Sequence, residues 1–175
     1  MELNISLATA DDLPAVAKLY DDVTAYLESN VNYCGWRRGL YPIQQDAEQA
    51  LEQSCLYVAK LENEVVGSFV LSQKFEPAYE AANWSLPSDY NNLFVIHTFA
   101  AHPAFSGRGI GRKMLEYVAE LARSQGMSSL RLDTYEKNLP AIAVYESCGF
   151  RFVGKVDLGK GDWGLDWFNC YEKIL

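Results

Sequence analysis

Leu13, Val16, Leu19, Tyr20, Val23 and Leu27 recur at helical spacing, which predicts an amphipathic helix over residues 10–28. Thr9 stands ahead of it as an N-cap. Asp11 and Asp12 fall in the first turn, where negative charge suits the helix dipole. Residues 4–8 read as a short first strand. Segment 31–41, with its two glycines, reads as a loop, and 43–53 as a second helix. Residues 56–61 and 65–72 form a hairpin pattern around Glu62, Asn63 and Glu64, with Val58, Val65, Val66, Phe69 and Val70 as β-prone positions.

Residues 75–91 carry two prolines and several aromatics without a regular period, and read as a long loop or insertion. Residues 93–101 are a strongly apolar strand. Residues 108–124 then give a clear amphipathic helix. Ile110, Met114, Val118 and Leu121 lie on one stripe, Arg112, Lys113, Glu116, Glu120 and Arg123 lie outside it, and Gly126 acts as a stop. Residues 128–134 are a strand. Asn138 is the expected N-cap of a last helix with Pro140 in its first turn, ending near Cys148 and Gly149. Residues 151–157 and 167–174 close the pattern as strands. The order is that of an α/β chain with a mixed sheet, in which only the centre has the strand–helix–strand crossover of parallel pairing.

The chain has 175 residues, which fits one domain over 1–175. Its net charge of −8 argues against a nucleic-acid groove, which depends on clustered Lys and Arg. The same charge suits a cationic amine substrate, or simply solubility. The four cysteines, Cys34, Cys55, Cys148 and Cys170, form no C-x-x-C pair and have no His at ligand spacing, so no metal site is expected. No basic-then-apolar leader and no membrane-length apolar run is present, and a cytoplasmic protein with reduced thiols is expected.

The informative segment is 99–112, FAAHPAFSGRGIGR: a strand end, alternating Gly107, Gly109 and Gly111, then a helix. The first N–H groups of a helix lack internal partners and carry partial positive charge. Glycines let a ligand's oxygens come close to the backbone. Together these make a pyrophosphate site, with Arg108 and Arg112 at hand to add charge. A nucleoside-triphosphate loop needs G-x-x-x-x-G-K-[ST], and that string is absent. A dinucleotide-binding turn fits Gly107 and Gly109, with Asp133 near the place of a ribose-binding acid, but position 112 is Arg and not the third glycine. A purely structural turn needs fewer glycines.

The segment 99–111 resembles motif A of the GNAT acetyltransferases, and 138–150, NLPAIAVYESCGF, is similar to their motif B, N-x-x-A-x-x-x-Y-E-x-x-G-F. Ser106 stands where the family usually has Gln or Arg. The resemblance implies a GNAT fold: a mixed, mostly antiparallel sheet of about seven strands, about four helices, and a parallel pair that splays at the coenzyme A site. It implies acetyl-CoA as co-substrate. Phe99, Ala100 and Ala101 would offer backbone groups to pantetheine and the thioester, with an N–H of Ala100 or Ala101 facing the oxyanion. Gly107, Arg108, Gly109, Ile110, Gly111 and Arg112 would hold the pyrophosphate. Asn138 would reach the pantetheine or its neighbouring phosphates, and Tyr145 would stand in the general-acid position beside the sulfur. A homodimer is compatible with the family.

Direct acetyl transfer to an amine needs a proton acceptor, an oxyanion donor and a proton donor for the thiolate. Tyr145 is the candidate donor, or a buried core tyrosine bonded to backbone. His97 has the intrinsic pKa of a base and stands two residues before Phe99, which would put both side chains on one strand face; a core histidine is the other reading. Asp133, Glu136 and Glu76 are weaker candidates, and His102 is a loop residue. Aromatics such as Tyr41, Tyr79 and Trp84 could line an acceptor pocket or serve ordinary packing. A small-molecule or peptide amine is the expected partner; a CoA-binding regulator without efficient catalysis is the alternative.

Overall fold

Every apolar run forms the element its spacing implies, with small shifts at the ends. The computed structural model describes residues 2–87 and 89–175. Among them are strands β1 (Leu3–Leu7), β2 (Leu56–Leu61), β3 (Glu64–Ser72), β4 (Leu93–Ala101), β5 (Ser129–Tyr135), β6 (Arg151–Val156) and β7 (Phe168–Ile174). The helices are α1 (Leu13–Ser29), α2 (Gln44–Glu52), α3 (Ile110–Ser124) and α4 (Leu139–Ser147). The strands form one sheet in the order β1-β2-β3-β4-β5-β7-β6. The β1–β2, β2–β3, β5–β7 and β6–β7 pairs are antiparallel, and β4–β5 is parallel from Leu93↔Ser129 to Ile96↔Leu132. This is the GNAT fold that the sequence implies.

The chain divides into two compact units. The first holds residues 2–32, Trp36–Leu71 and His97–Met114. Its core joins Val16, Leu19 and Tyr20 of α1 to Ala47 and Ala50 of α2, Leu56 and Val58 of β2, Val65 of β3 and Ala100 of β4. Burying each large apolar side chain stabilises the fold by about 1.5–3 kcal/mol. Thr9 sits at the N-cap as expected, but the chain enters α1 through a 3-10 turn, Ala10–Asp12. The Thr9 N–H donates to Asp12 Oδ2 at 2.9 Å, and Lys60 of β2 pairs with the other Asp12 oxygen at 2.5 Å. A close approach explains Gly67 of β3: a Cβ there would lie 2.6 Å from Met114 Sδ and 3.1 Å from the Ala100 carbonyl.

The second unit holds Tyr33–Gly35, Ser72–Ile96 and Leu115–Leu175. Tyr79, Leu93, Val95, Val156 and Cys170 form its buried cluster, with Trp84, Tyr90 and Phe168 packed around them. Residues 73–87 and 89–92 are not a slack loop: they contain the 3-10 turns Pro77–Ala81 and Tyr90–Asn92, and the Asn83 N–H donates to the Val153 carbonyl of β6 at 2.9 Å. The four cysteines are free thiols. No helix among the described residues is long and apolar enough to cross a membrane.

Candidate active site

In the first unit, β4 leads into the glycine loop through a chain of local bonds. The His102 N–H donates to Val66 of β3 at 2.8 Å. Its Nδ1 accepts the Ala104 N–H at 3.1 Å, so the ring proton lies on Nε2, which donates to Asp22 Oδ2 of α1 at 3.2 Å. The Ser106 N–H then donates to Pro103 and the Arg108 N–H to Phe105, at 3.0 and 3.2 Å. These two amides are spent inside the loop.

Gly107 and Gly109 adopt φ of +77° and +74°, which L side chains rarely take. This holds 107–109 out of the helix, so α3 starts at Ile110 and not at 108 as its polar pattern suggests. The first helical bond runs from the Lys113 N–H to the Gly109 carbonyl at 3.0 Å. The amides of Ile110, Gly111 and Arg112 therefore stand at the positive end of the helix, ahead of its ladder. Apart from its chain neighbours, no described residue lies within 4 Å of where a Cβ would stand on Gly107 or on Gly109. Open left-handed glycines before a long helix are what a pyrophosphate needs. The Arg108 guanidinium lies over the Phe105 ring at 5.2 Å, and both Arg108 and Arg112 are exposed.

The end of β4 is irregular. Thr98 has φ of +46°, an outlier for a β-branched residue. Its hydroxyl meets the Tyr41 hydroxyl at 2.7 Å, and the Tyr41 ring stands edge-on to Trp36 at 5.9 Å. The two-residue alternation that would set His97 and Phe99 on one face does not run through this residue: 97, 98 and 99 are all half-buried. Beyond the irregularity alternation resumes. The Ala100 carbonyl faces Gly67, and the His102 N–H is bonded to Val66. Both residues thus direct their backbone groups at β3, which turns those of Ala101 to the strand's other edge. Of the two candidate oxyanion donors, Ala101 is the one with its N–H directed away from β3.

In the second unit, Tyr145 of α4 is buried, with its ring against Phe150 and Tyr171 at 6.1 and 6.3 Å. Burial, then the charge of Asp133, then Cys34 push its phenol far above the ordinary value. It stays protonated at any working pH. Asp133 lies on β5 opposite Cys170 of β7. Burial first and Asp133 second push the Cys170 thiol up to about 12. Asp133 accepts a hydrogen bond from the Tyr79 hydroxyl at 2.5 Å on Oδ2. Asn138 precedes α4, but its side chain does not cap the helix: Nδ2 donates back to Thr134 Oγ1 of β5 at 3.0 Å.

Tyr79 belongs to segment 73–92, and Arg131 fixes that segment. The Arg131 side chain is 0% exposed and pairs through Nε with Glu172 Oε1 at 3.1 Å. Its Nη2 donates to the Leu86 carbonyl at 2.8 Å, and its guanidinium lies 4.2 Å from the Trp84 ring. The Ser85 N–H donates to Glu172 Oε2, and Trp84 Nε1 to the Tyr79 carbonyl, each at 2.7 Å.

The first unit thus brings together His97, Phe99, Ala100, Ala101 and the loop residues Gly107, Arg108, Gly109, Ile110, Gly111 and Arg112, while Asn138 and Tyr145 lie in the second. From the sequence Asp133 is only a weaker base candidate, Thr98 carries no role, and Tyr79 and Tyr41 stand among the aromatics only. For Asp133 a signal existed: it stands on the strand that leads into the Asn138–Tyr145 motif.

The family model described as the acetyltransferase (GNAT) family matches residues 16–150. A streptothricin acetyltransferase of Escherichia coli is 27% identical over 124 residues, 69% of this chain and 62% of that protein. The chain spans less than two thirds of the length of that relative. Among solved structures, a GNAT-family acetyltransferase of Streptococcus agalactiae superposes with a TM-score of 0.81 at 20% identity, covering 99% of this chain and 95% of that one. A Salmonella typhimurium chain solved with its cofactor acetyl-CoA gives a TM-score of 0.69 at 17% identity over 100% and 95%.

Proposed function

Because the chain belongs to the GNAT family of acetyltransferases, we propose that it moves an acetyl group from acetyl-CoA to a primary amine, by direct transfer in a ternary complex. The observation that carries this reading is the pair of open, left-handed glycines, 107 and 109, ahead of the α3 N-terminus. Acetyl-CoA, when bound, supplies an activated thioester. Gly107, Gly109, Ile110, Gly111 and Arg112 hold its pyrophosphate, and Arg108 adds charge from its place over Phe105. Backbone groups of Phe99 and Ala101 line the pantetheine arm. Ala100, between them, offers its own backbone groups to the same arm. Asn138 reaches the pantetheine or its neighbouring phosphates.

The acceptor arrives as an ammonium and loses one proton to His97. The Ala101 N–H faces the developing oxyanion. The Tyr145 hydroxyl gives its proton to the departing sulfur. The second proton leaving the nitrogen restores the phenol through solvent, and the base returns its own to solvent, so one proton is released overall. A second reading gives the first proton to Asp133. It is favoured by the action of that carboxylate's charge on the Tyr145 phenol. While Asp133 is anionic, a phenolate at 145 is disfavoured; taking up the amine's proton removes that charge and eases the donation. Turnover lost in His97→Ala and kept in Asp133→Asn supports the first reading; turnover kept in His97→Ala and lost in Asp133→Asn supports the second.

The E. coli relative is named for streptothricin, and a small cationic amine is the acceptor class we carry from it; a peptide amine is the other. A cytoplasmic location goes with this reading, and a homodimer is compatible with it. The test is release of free thiol from acetyl-CoA across spermidine, L-lysine, phenethylamine and an alanyl peptide. Acceptor-dependent release with matching acetylated product is expected. Binding of acetyl-CoA without release from any amine would instead support a catalytically weak acyl-CoA-binding regulator on this fold.

A further inference from the structure

We infer that Tyr41 is a positioning residue for the transfer: its hydroxyl, paired with that of Thr98, holds the end of β4 in the irregular path that aims the Ala101 N–H at the developing oxyanion. The inference rests on the reading in which that N–H is the oxyanion donor. Thr98 has φ of +46°, in the left-handed region that a side chain branched at Cβ rarely adopts. Strain of this kind persists only where neighbours over-determine it. The Tyr41 hydroxyl, 2.7 Å from Thr98 Oγ1, is such a neighbour. A hydrogen bond is directional, so it orients the threonine, where an apolar contact would only crowd it. Further along, the His102 N–H is fixed on the Val66 carbonyl of β3 at 2.8 Å. With that end anchored, the φ of Thr98 sets where alternation restarts, and so how the peptide groups of 99–101 are turned.

Tyr41 is a firm post. Its N–H donates to the Arg37 carbonyl at 2.9 Å, and the Arg37 N–H donates back to the Tyr41 carbonyl at 3.1 Å, which closes the 37–41 turn on itself. Trp36 stands edge-on to the Tyr41 ring at 5.9 Å, and Asn32 Nδ2 donates to the Trp36 carbonyl at 2.7 Å. Arg38 clamps the same turn to α1: its Nε and Nη2 meet the two oxygens of Asp21, each at 2.7 Å. A hydroxyl carried on a turn fixed at these points does not follow Thr98; Thr98 follows it. An oxyanion donor helps only when it is in place before charge develops, so a strand end free to relax would lose rate and not cofactor affinity.

The experiment compares wild type, Tyr41→Phe, Thr98→Val, their double variant and Thr98→Ser. A further protein carries an ester in place of the amide at Ala101, which exchanges that N–H for oxygen. Kinetics with the fastest amine of the panel give kcat and KM, and the Ala101 amide ¹H–¹⁵N signal of the ligand-free protein reports the strand end. The ester is expected to lower kcat by about 10²–10³. Tyr41→Phe and Thr98→Val are each expected to lower kcat about tenfold with KM for acetyl-CoA unchanged, to move the Ala101 signal, and to lose no more together than singly. Thr98→Ser, which keeps the hydroxyl, is expected to keep most of the turnover and the wild-type signal. If the ester loses turnover while Tyr41→Phe and Thr98→Val keep it, lose it additively or leave the Ala101 signal in place, the N–H works without the hydroxyl pair and the inference is overturned. A raised amine KM at unchanged kcat would make Tyr41 an acceptor contact and would overturn it too. If the ester keeps wild-type turnover, the Ala101 N–H is not the donor, and that reading falls together with the inference.

Discussion

Arg131 and Glu172 face each other at 3.1 Å from neighbouring positions in the sheet, with side-chain exposures of 0% and 1%. Two charges taken this far from water are tolerable only because each is also bonded elsewhere, Arg131 to Leu86 and Glu172 to Ser85. Removing one partner strands the other. Arg131→Met and Glu172→Leu should each cost about 3–5 kcal/mol in urea unfolding, and the double variant clearly less than their sum. Additive losses would show that the pair does not act as a unit.

Tyr145→Phe deletes one oxygen from a buried ring. If the phenol protonates the leaving thiolate, turnover should fall by about 10²–10⁴ while KM for acetyl-CoA changes little. The phenol is pushed far above its ordinary value, so the wild-type rate should show no basic limb from this residue through the alkaline range in which the protein is folded. Stopped-flow thiol release at saturating amine measures both. Unaltered turnover would remove Tyr145 from the chemistry.

Much of this was legible in the chain itself. Residues 93–101 are a strand with the bounds the apolar run gave, because a buried central strand is written as continuous apolar sequence. The start of α3 was misplaced because charge and apolar spacing carry on through 108–109, whereas the left-handed glycines break the helix there. Asn138 looked like a cap because caps are read locally; in the fold Thr134 competes for its side chain. The irregular strand at Thr98 has no local signature, since its partner Tyr41 comes from a distant loop. Tyr79 and Asp133 are equally remote in sequence, and only the path of segment 73–92 joins them. Patterns reveal elements and motifs; contacts that close over long loops they do not.

Acid should loosen the entry to α1. Burial disfavours a charged Asp12, but the hydrogen bonds from Lys60 and Thr9 outweigh it and hold its carboxyl below the usual 3.8. A carboxyl depressed in the folded state adds stability above the unfolded pKa and loses it as pH falls through the folded one. Asp12→Ala should therefore be less stable than wild type by about 0.5–2 kcal/mol at pH 7, and the gap should close as pH falls beneath the ordinary carboxyl range. Thermal melts across that range decide it; a gap that stays constant would mean the charge of Asp12 contributes nothing.

The central claim is that the loop at Gly107 and Gly109 holds acetyl-CoA, and calorimetric titration of acetyl-CoA into wild type and a Gly107→Val/Gly109→Val variant tests it most directly. Apart from the chain neighbours, no described residue lies within 4 Å of either added Cβ, so the substitutions strain only the backbone and the ligand's approach. Saturable binding by wild type is expected, weakened at least about tenfold in the variant, whose melting curve remains cooperative. Equal binding by a folded variant, or none by wild type, would contradict it.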